Sequence, residues 1–205
     1  MSQRYPIPAG RHRVDETRDR SRFITTVGRA TSDREAKAFI AEVAAEFPDA
    51  THNCWAYVAG PPADTSHVGM SDAGEPHGTA GRPMLDVLLG SGLGEVVAVV
   101  TRYYGGRKLG KGGLVRAYAG GVKLALENLP VTEYVSTVEL RVVLPYSTVS
   151  HFKNLLGEFE AEALEETYTT DAVFRVRLPQ EHAVSFREAL EGITNGRAVI
   201  EPWAA

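Results

Sequence analysis

"EVVAVVTRYYGGRKLGKGGLVRAYAGGVKLALENL", residues 95–129, decides how the rest of the chain is read. Val96–Val100 is apolar at consecutive positions, which predicts a strand covered on both faces and central in its sheet. From Leu114 the pattern reads as a helix, although Gly120 and Gly121 lie inside it. Two such glycines cost up to about 1 kcal/mol each relative to Ala, and close packing against another backbone is expected there. Between strand and helix, residues 101–113 place five glycines and four bases in thirteen positions. Strand, glycine-rich loop and helix together present unpaired N–H groups and the positive end of the helix dipole to an anion.

Gly105-x4-Gly110-Lys111 reproduces most of a phosphate loop, but Gly112 stands where the magnesium-binding hydroxyl belongs. The stretch therefore suits phosphate binding and does not suit nucleotide hydrolysis by that route. The candidate anion or nucleic-acid surface comprises Arg102, Tyr103, Tyr104, Gly105, Gly106, Arg107, Lys108, Lys111, Gly112, Gly113 and Arg116. Bases interleaved with aromatic rings suit single-stranded nucleic acid, where rings stack on bases and cations meet phosphates. Strand alternation predicts that one of Tyr103 and Tyr104 is buried. Tyr118 joins the aromatic set from the helix.

The charge is uneven. Val96–Leu126 holds six bases and no acid, inside a chain of net charge −4. The rest of the chain therefore carries −10, and a basic island of this kind is a local field for specific anions. The first residues, "MSQRYPIPAGRHRV", contain no apolar run, so neither a secretory signal nor a membrane anchor is expected. Cys54 is the single cysteine, which excludes an intrachain disulfide and fits a reducing cytoplasm.

Working outward, "RSRFITTVGRA" reads as a strand. Ser32 and Glu35 make a capping box for a helix with Ala36, Phe39, Ile40, Val43 and Phe47 on one face, ended by Pro48. "THNCWAYVAG" reads as a strand, Gly60 to about Gly78 as a loop, and the segment to Gly90 as a short helix with Met84, Leu85 and Leu88 inward. After Pro130 the order changes to strand, helix, two strands joined near Thr170, helix and strand, the βαββαβ pattern of a ferredoxin-like unit. This gives an α+β chain with domains at 1–130 and 131–205. The second has twelve acids against six bases, and an acidic sheet face there is expected to suit a basic partner.

In "MSDAGEPHGTAGRP", residues 70–83, Asp72, Glu75 and His77 match no metal motif, and a rigid turn is the expected reading. Asp72 or Glu75 is expected to pair with bases of the glycine loop, and Thr79 to cap the following helix. His52 and Cys54 share a strand face and are read as core rather than as a catalytic pair. No catalytic residue, metal or cofactor is assigned.

"SRFI", "FPDATHNCWAYVAG", "SDAGEPHGTAGRPML" and "VVAVVTRYYGGRKLGKGGLVRAYAGGV" together resemble the IMPACT family in its bacterial YigZ-like branch. Ala73 stands where relatives usually carry a second Asp. The resemblance implies a first domain with the fold of ribosomal protein S5 domain 2. It implies a second, ferredoxin-like domain, a pairing similar to the last two domains of elongation factor G. It also implies a cytoplasmic, translation-linked role. From this follows the expectation of a non-enzymatic regulator that binds RNA or the ribosome. The alternatives are an enzyme or sensor for a small phosphorylated ligand, and a module that docks a translation-regulatory protein. Four loop bases on four phosphates of one strand give a slope of log K against log salt near −3.

Overall fold

In a computed structural model of the chain, residues 4–203 are described. They form two compact units: Tyr5–Tyr134, and Val135 onward together with Arg4. The first unit runs β1 (Arg4–Pro8), β2 (His12–Arg18), β3 (Ser21–Arg29), α1 (Asp33–Glu46), β4 (His52–Val58), β5 (Val68–Ser71), α2 (Gly81–Leu89), β6 (Val96–Tyr103), α3 (Gly110–Glu127) and β7 (Val131–Val135). Five strands form a sheet in the order β2-β3-β6-β4-β5, with every neighbouring pair antiparallel. β6 is the middle strand, as its unbroken apolar run requires. Helices α2 and α3 cover one face, where Phe23, Cys54, Ala98, Val100, Leu114, Tyr118 and Val122 are packed. Helix α1 covers the other face over Ala30, Tyr57 and Val97.

Local chemistry sets the element ends. The Ser32 hydroxyl accepts from the Glu35 N–H at 3.3 Å, and Glu35 reaches back to the Thr31 N–H and hydroxyl. The capping box is thus present, shifted by one residue on its return arm. β1 and β7 pair as a two-stranded ribbon, with Tyr5 and Tyr134 stacked 4.6 Å apart. This ribbon carries the first unit past Pro130, to Tyr134.

Gly120 and Gly121 are tolerated for a reason other than backbone contact. A Cβ at Gly120 would lie 2.9 Å from the Arg18 guanidinium, and one at Gly121 would lie 2.6 Å from the Thr25 hydroxyl. The close partners are side chains of β2 and β3. The tightest glycine contact against backbone is at Gly105, where a Cβ would lie 1.9 Å from the Arg20 carbonyl oxygen.

The second unit continues with β8 (Thr137–Leu144), α4 (Val149–Glu158), β9 (Glu162–Tyr168), β10 (Ala172–Pro179), α5 (Ala183–Thr194) and β11 (Val199–Pro202). Its strands lie in the order β11-β8-β10-β9, all antiparallel. Leu140, Val142, Phe174 and Val176 pack with Phe152, Phe186 and Leu190 of the helices. On the strand positions that alternate with these, Arg175 and Arg177 both bind Glu139, Arg175 also binds Glu165, and Arg141 binds Glu201. That ladder makes the sheet face less acidic than the residue count suggests, because Glu139, Glu165 and Glu201 each meet a guanidinium.

Candidate functional site: a cationic cleft at the start of α3

β6 delivers Arg102 to the end of the sheet, and the chain then turns through the glycine loop into α3. The cleft formed here has a volume of about 410 Å³ and is walled by Glu75, Pro76, Arg102, Tyr104, Lys108–Lys111 and Leu114. At its base lies a buried polar cluster. Arg102 is 5% exposed and Glu75 8%. The Arg102 guanidinium donates to Glu75 Oε1 at 2.5 Å, and the Tyr118 hydroxyl donates to the same oxygen at 2.8 Å. Arg102 also donates to the Ser21 hydroxyl at 3.3 Å and lies over the rings of Phe23 and Tyr104, 5.4 and 5.5 Å from their centroids. Its Nε has no hydrogen-bond partner among the described residues. Burial, then the neighbouring Cys54 and Glu75, push the Tyr118 phenol above its ordinary value, which keeps it a donor.

Arg102 is therefore a correction. It lies beneath the cationic surface and is neutralised by Glu75, because β6 alternation turns it toward the α2/α3 side. The paired carboxylate is Glu75; Asp72 does other work. Its two oxygens accept from the N–H groups of Gly78, Ala80 and Gly81 at 2.8, 3.0 and 2.9 Å, closing the start of α2. Burial alone would raise the Asp72 carboxyl, but these three N–H donors outweigh it and hold it below the ordinary value. Thr79 does not cap α2: its hydroxyl donates to the Pro76 carbonyl at 2.6 Å. Cys54 donates to the Asp72 carbonyl and His52 Nδ1 lies 2.9 Å from the Ala73 carbonyl, so this strand pair braces the turn. Burial pushes the Cys54 thiol up to about 12, which removes it as a nucleophile at neutral pH. Among the described residues no group of three or more His, Cys, Asp or Glu is placed to hold a metal.

Neither adjacent tyrosine is fully buried. Tyr103 is half-buried and donates to Asp49 at 2.9 Å, while Tyr104 is 46% exposed at the cleft wall. The buried ring is Tyr118. Its spacing from Leu114 and Val122 on one helix face is the sequence signal for burial, which places Tyr118 in the core rather than in the exposed aromatic set. Ser21 carried no signal, yet its hydroxyl receives both Arg102 and the Gly105 N–H, the latter at 3.2 Å.

The loop amides divide into used and open. Tyr104 N–H goes to the Thr51 hydroxyl, and Gly105 N–H to Ser21. Helix α3 starts at Gly110, so the Gly113 N–H belongs to its first intrahelical turn. Gly110, Lys111 and Gly112 are the first-turn residues whose N–H groups lack an intrahelical acceptor; Leu109 supplies no capping side chain and the first turn contains no acid. Gly110 has φ +71°, a conformation that glycine takes without strain. Lys108 and Lys111 are exposed, line the cleft and meet no carboxylate among the described residues. Arg107 is drawn aside, 3.5 Å from Asp19, and Arg116 is exposed further along α3. Gly106 is open, with φ +81°.

The family model of the Impact N-terminal domain matches residues 19–126, which spans the cleft and every residue named in it. The chain belongs to the IMPACT family. A second model, a domain of unknown function (DUF1949), matches residues 142–197 of this IMPACT-family chain. The chain is 43% identical over 190 residues to the IMPACT family member YigZ of Escherichia coli, covering 93% of each. It is 36% identical over 194 residues to the IMPACT family member YvyE of Bacillus subtilis, covering 94% of this chain and 87% of that protein. A solved structure described as a hypothetical protein is similar across 100% of this chain and 98% of its own, with TM-score 0.71 and 41% identity. Among the described residues no helix is long and apolar enough to cross a membrane.

Proposed function

We propose that this IMPACT-family protein is a non-enzymatic, cytoplasmic regulator linked to translation, which binds RNA or ribosomal phosphates at the mouth of the α3 cleft. One observation carries this reading: Lys108 and Lys111 meet no carboxylate among the described residues and stand beside the uncapped start of α3, next to the exposed ring of Tyr104. That combination offers cations and N–H donors to phosphates and a ring to an unstacked base. The strand order of the second unit supports a ferredoxin-like assignment, and the first unit is assigned to the ribosomal protein S5 domain 2-like class by the family resemblance. With Arg102 neutralised and Arg107 held by Asp19, the contacting cations reduce to about three: Lys108, Lys111 and Arg116. The expected salt slope falls accordingly to about −2. The test is co-sedimentation of the intact protein with ribosomes, against the Lys108→Ala/Lys111→Ala variant. Retention of the parent and loss of the variant is expected. Equal behaviour of the two would remove the cleft from any such role.

A further inference from the structure

The charge and size of the cleft select among phosphates. Glu75 and Arg102 cancel each other, so the uncompensated charge at the wall is that of Lys108 and Lys111. The start of α3 adds about half a positive charge. An internal phosphodiester brings one negative charge, whereas a terminal phosphomonoester brings about −1.5 to −2 at neutral pH. The cleft therefore matches the monoester. Its 410 Å³ lies near the lower end of the roughly 300–1,000 Å³ range of small-molecule pockets, which suits one nucleotide unit rather than a run of strand.

Two further features fit such a ligand independently of the helix start. Arg102 has a side chain only 6% accessible, lines the cleft, and keeps an Nε–H with no acceptor. A buried donor left unpaired is costly, and this one belongs to a residue that lines the floor of the cleft. Tyr104 has its ring against the Arg102 guanidinium and is 46% exposed, leaving ring surface for a base.

We infer that the cleft is a pocket for a single ribonucleotide bearing a phosphomonoester. The phosphate meets the Gly110–Gly112 N–H groups with Lys108 and Lys111, and the base lies on Tyr104. This rests on the proposed function and narrows it to a phosphorylated end. The same chemistry comes from an RNA terminus or a free nucleotide, and the experiment separates them.

The test is equilibrium binding by the intact protein of a short fluorescently labelled single-stranded RNA in three forms: hydroxyl-ended, 5′-phosphorylated and 3′-phosphorylated. Unlabelled nucleoside monophosphate serves as competitor. One phosphorylated form is expected to bind at least about tenfold tighter than the hydroxyl-ended RNA. Lys111→Ala and Tyr104→Ala, both surface changes, are expected to erase that advantage. If the monophosphate displaces the phosphorylated RNA at concentrations near the RNA's own Kd, the pocket stands and its ligand is the free nucleotide. Equal binding of all three RNAs would overturn the pocket while leaving RNA binding by the cleft intact. No binding of any RNA or of the monophosphate would overturn both.

Discussion

Replacing Glu75 by Leu is the sharpest perturbation of the cleft's foundation. The change strands the Arg102 guanidinium, whose side chain is 6% accessible, and deprives the Tyr118 hydroxyl of its acceptor. Removing one member of a buried ion pair costs about 3–5 kcal/mol, because the remaining charge stays desolvated without its partner. Against a typical total of about 5–15 kcal/mol, this is a large fraction of the stability of the first unit. For a unit of this length, about 3 °C in Tm per kcal/mol gives a loss of about 10–15 °C. The triple change Glu75→Leu/Arg102→Met/Tyr118→Phe removes all three polar partners together. It is expected to return to within about 1–2 kcal/mol of the parent, since apolar replacement of a whole buried network is often neutral. The assay is urea unfolding followed by Trp55 fluorescence in a Trp203→Phe background, with the single changes completing the cycle. A Glu75→Leu variant within about 1 kcal/mol of the parent would refute this reasoning. So would a triple variant costing the sum of its singles.

Asp72→Ala is expected to cost about 1–2 kcal/mol at pH 7, the worth of a helix cap, read by urea unfolding. The Asp72 carboxyl is held below its unfolded value, so its contribution is full above about pH 5 and fades as pH falls through the folded value; the gap between parent and Asp72→Ala is expected to shrink between pH 6 and pH 3. Cys54, with its thiol near 12 and buried, is expected to resist a thiol reagent at pH 8 in the native state and to react fully in denaturant. Gly105→Ala forces a Cβ onto the Arg20 carbonyl and is expected to destabilise by at least about 1–3 kcal/mol in a thermal melt. Gly112→Ala, by contrast, has its nearest neighbour 3.8 Å from the added carbon and lies in α3, so it is expected to be neutral or to stabilise by up to about 1 kcal/mol.

The elements legible in the sequence are those whose pattern is local and strong. Val96–Val100 announces a central strand because both of its faces are covered, and the 114/118/122 spacing announces α3. β2 is not legible because it is a charged edge strand, "HRVDETR", whose only strongly apolar side chain is Val14. β5 carries no strand pattern in the sequence because it is four residues long, on the opposite sheet edge, with Gly69 fitted under the Tyr57 ring. The cationic loop was legible from composition alone. The sorting of its bases was not: Arg102 and Lys108 look alike in sequence, and only the approach of Glu75 from the 71–81 turn separates them. The same distance effect hid the α2 cap, which comes from Asp72, eight residues before Ala80, while Thr79 had the local pattern and lacked the geometry.

The most direct measurement is the salt dependence of single-stranded RNA binding by the intact protein, parent against Lys108→Ala/Lys111→Ala. Three phosphate contacts predict a slope of log K against log salt of about −2 for the parent, falling to about −0.7 for the variant, which keeps Arg116 alone. A parent slope near zero, or a steep slope that the double change leaves untouched, would contradict the assignment of the start of α3 as the phosphate-binding surface.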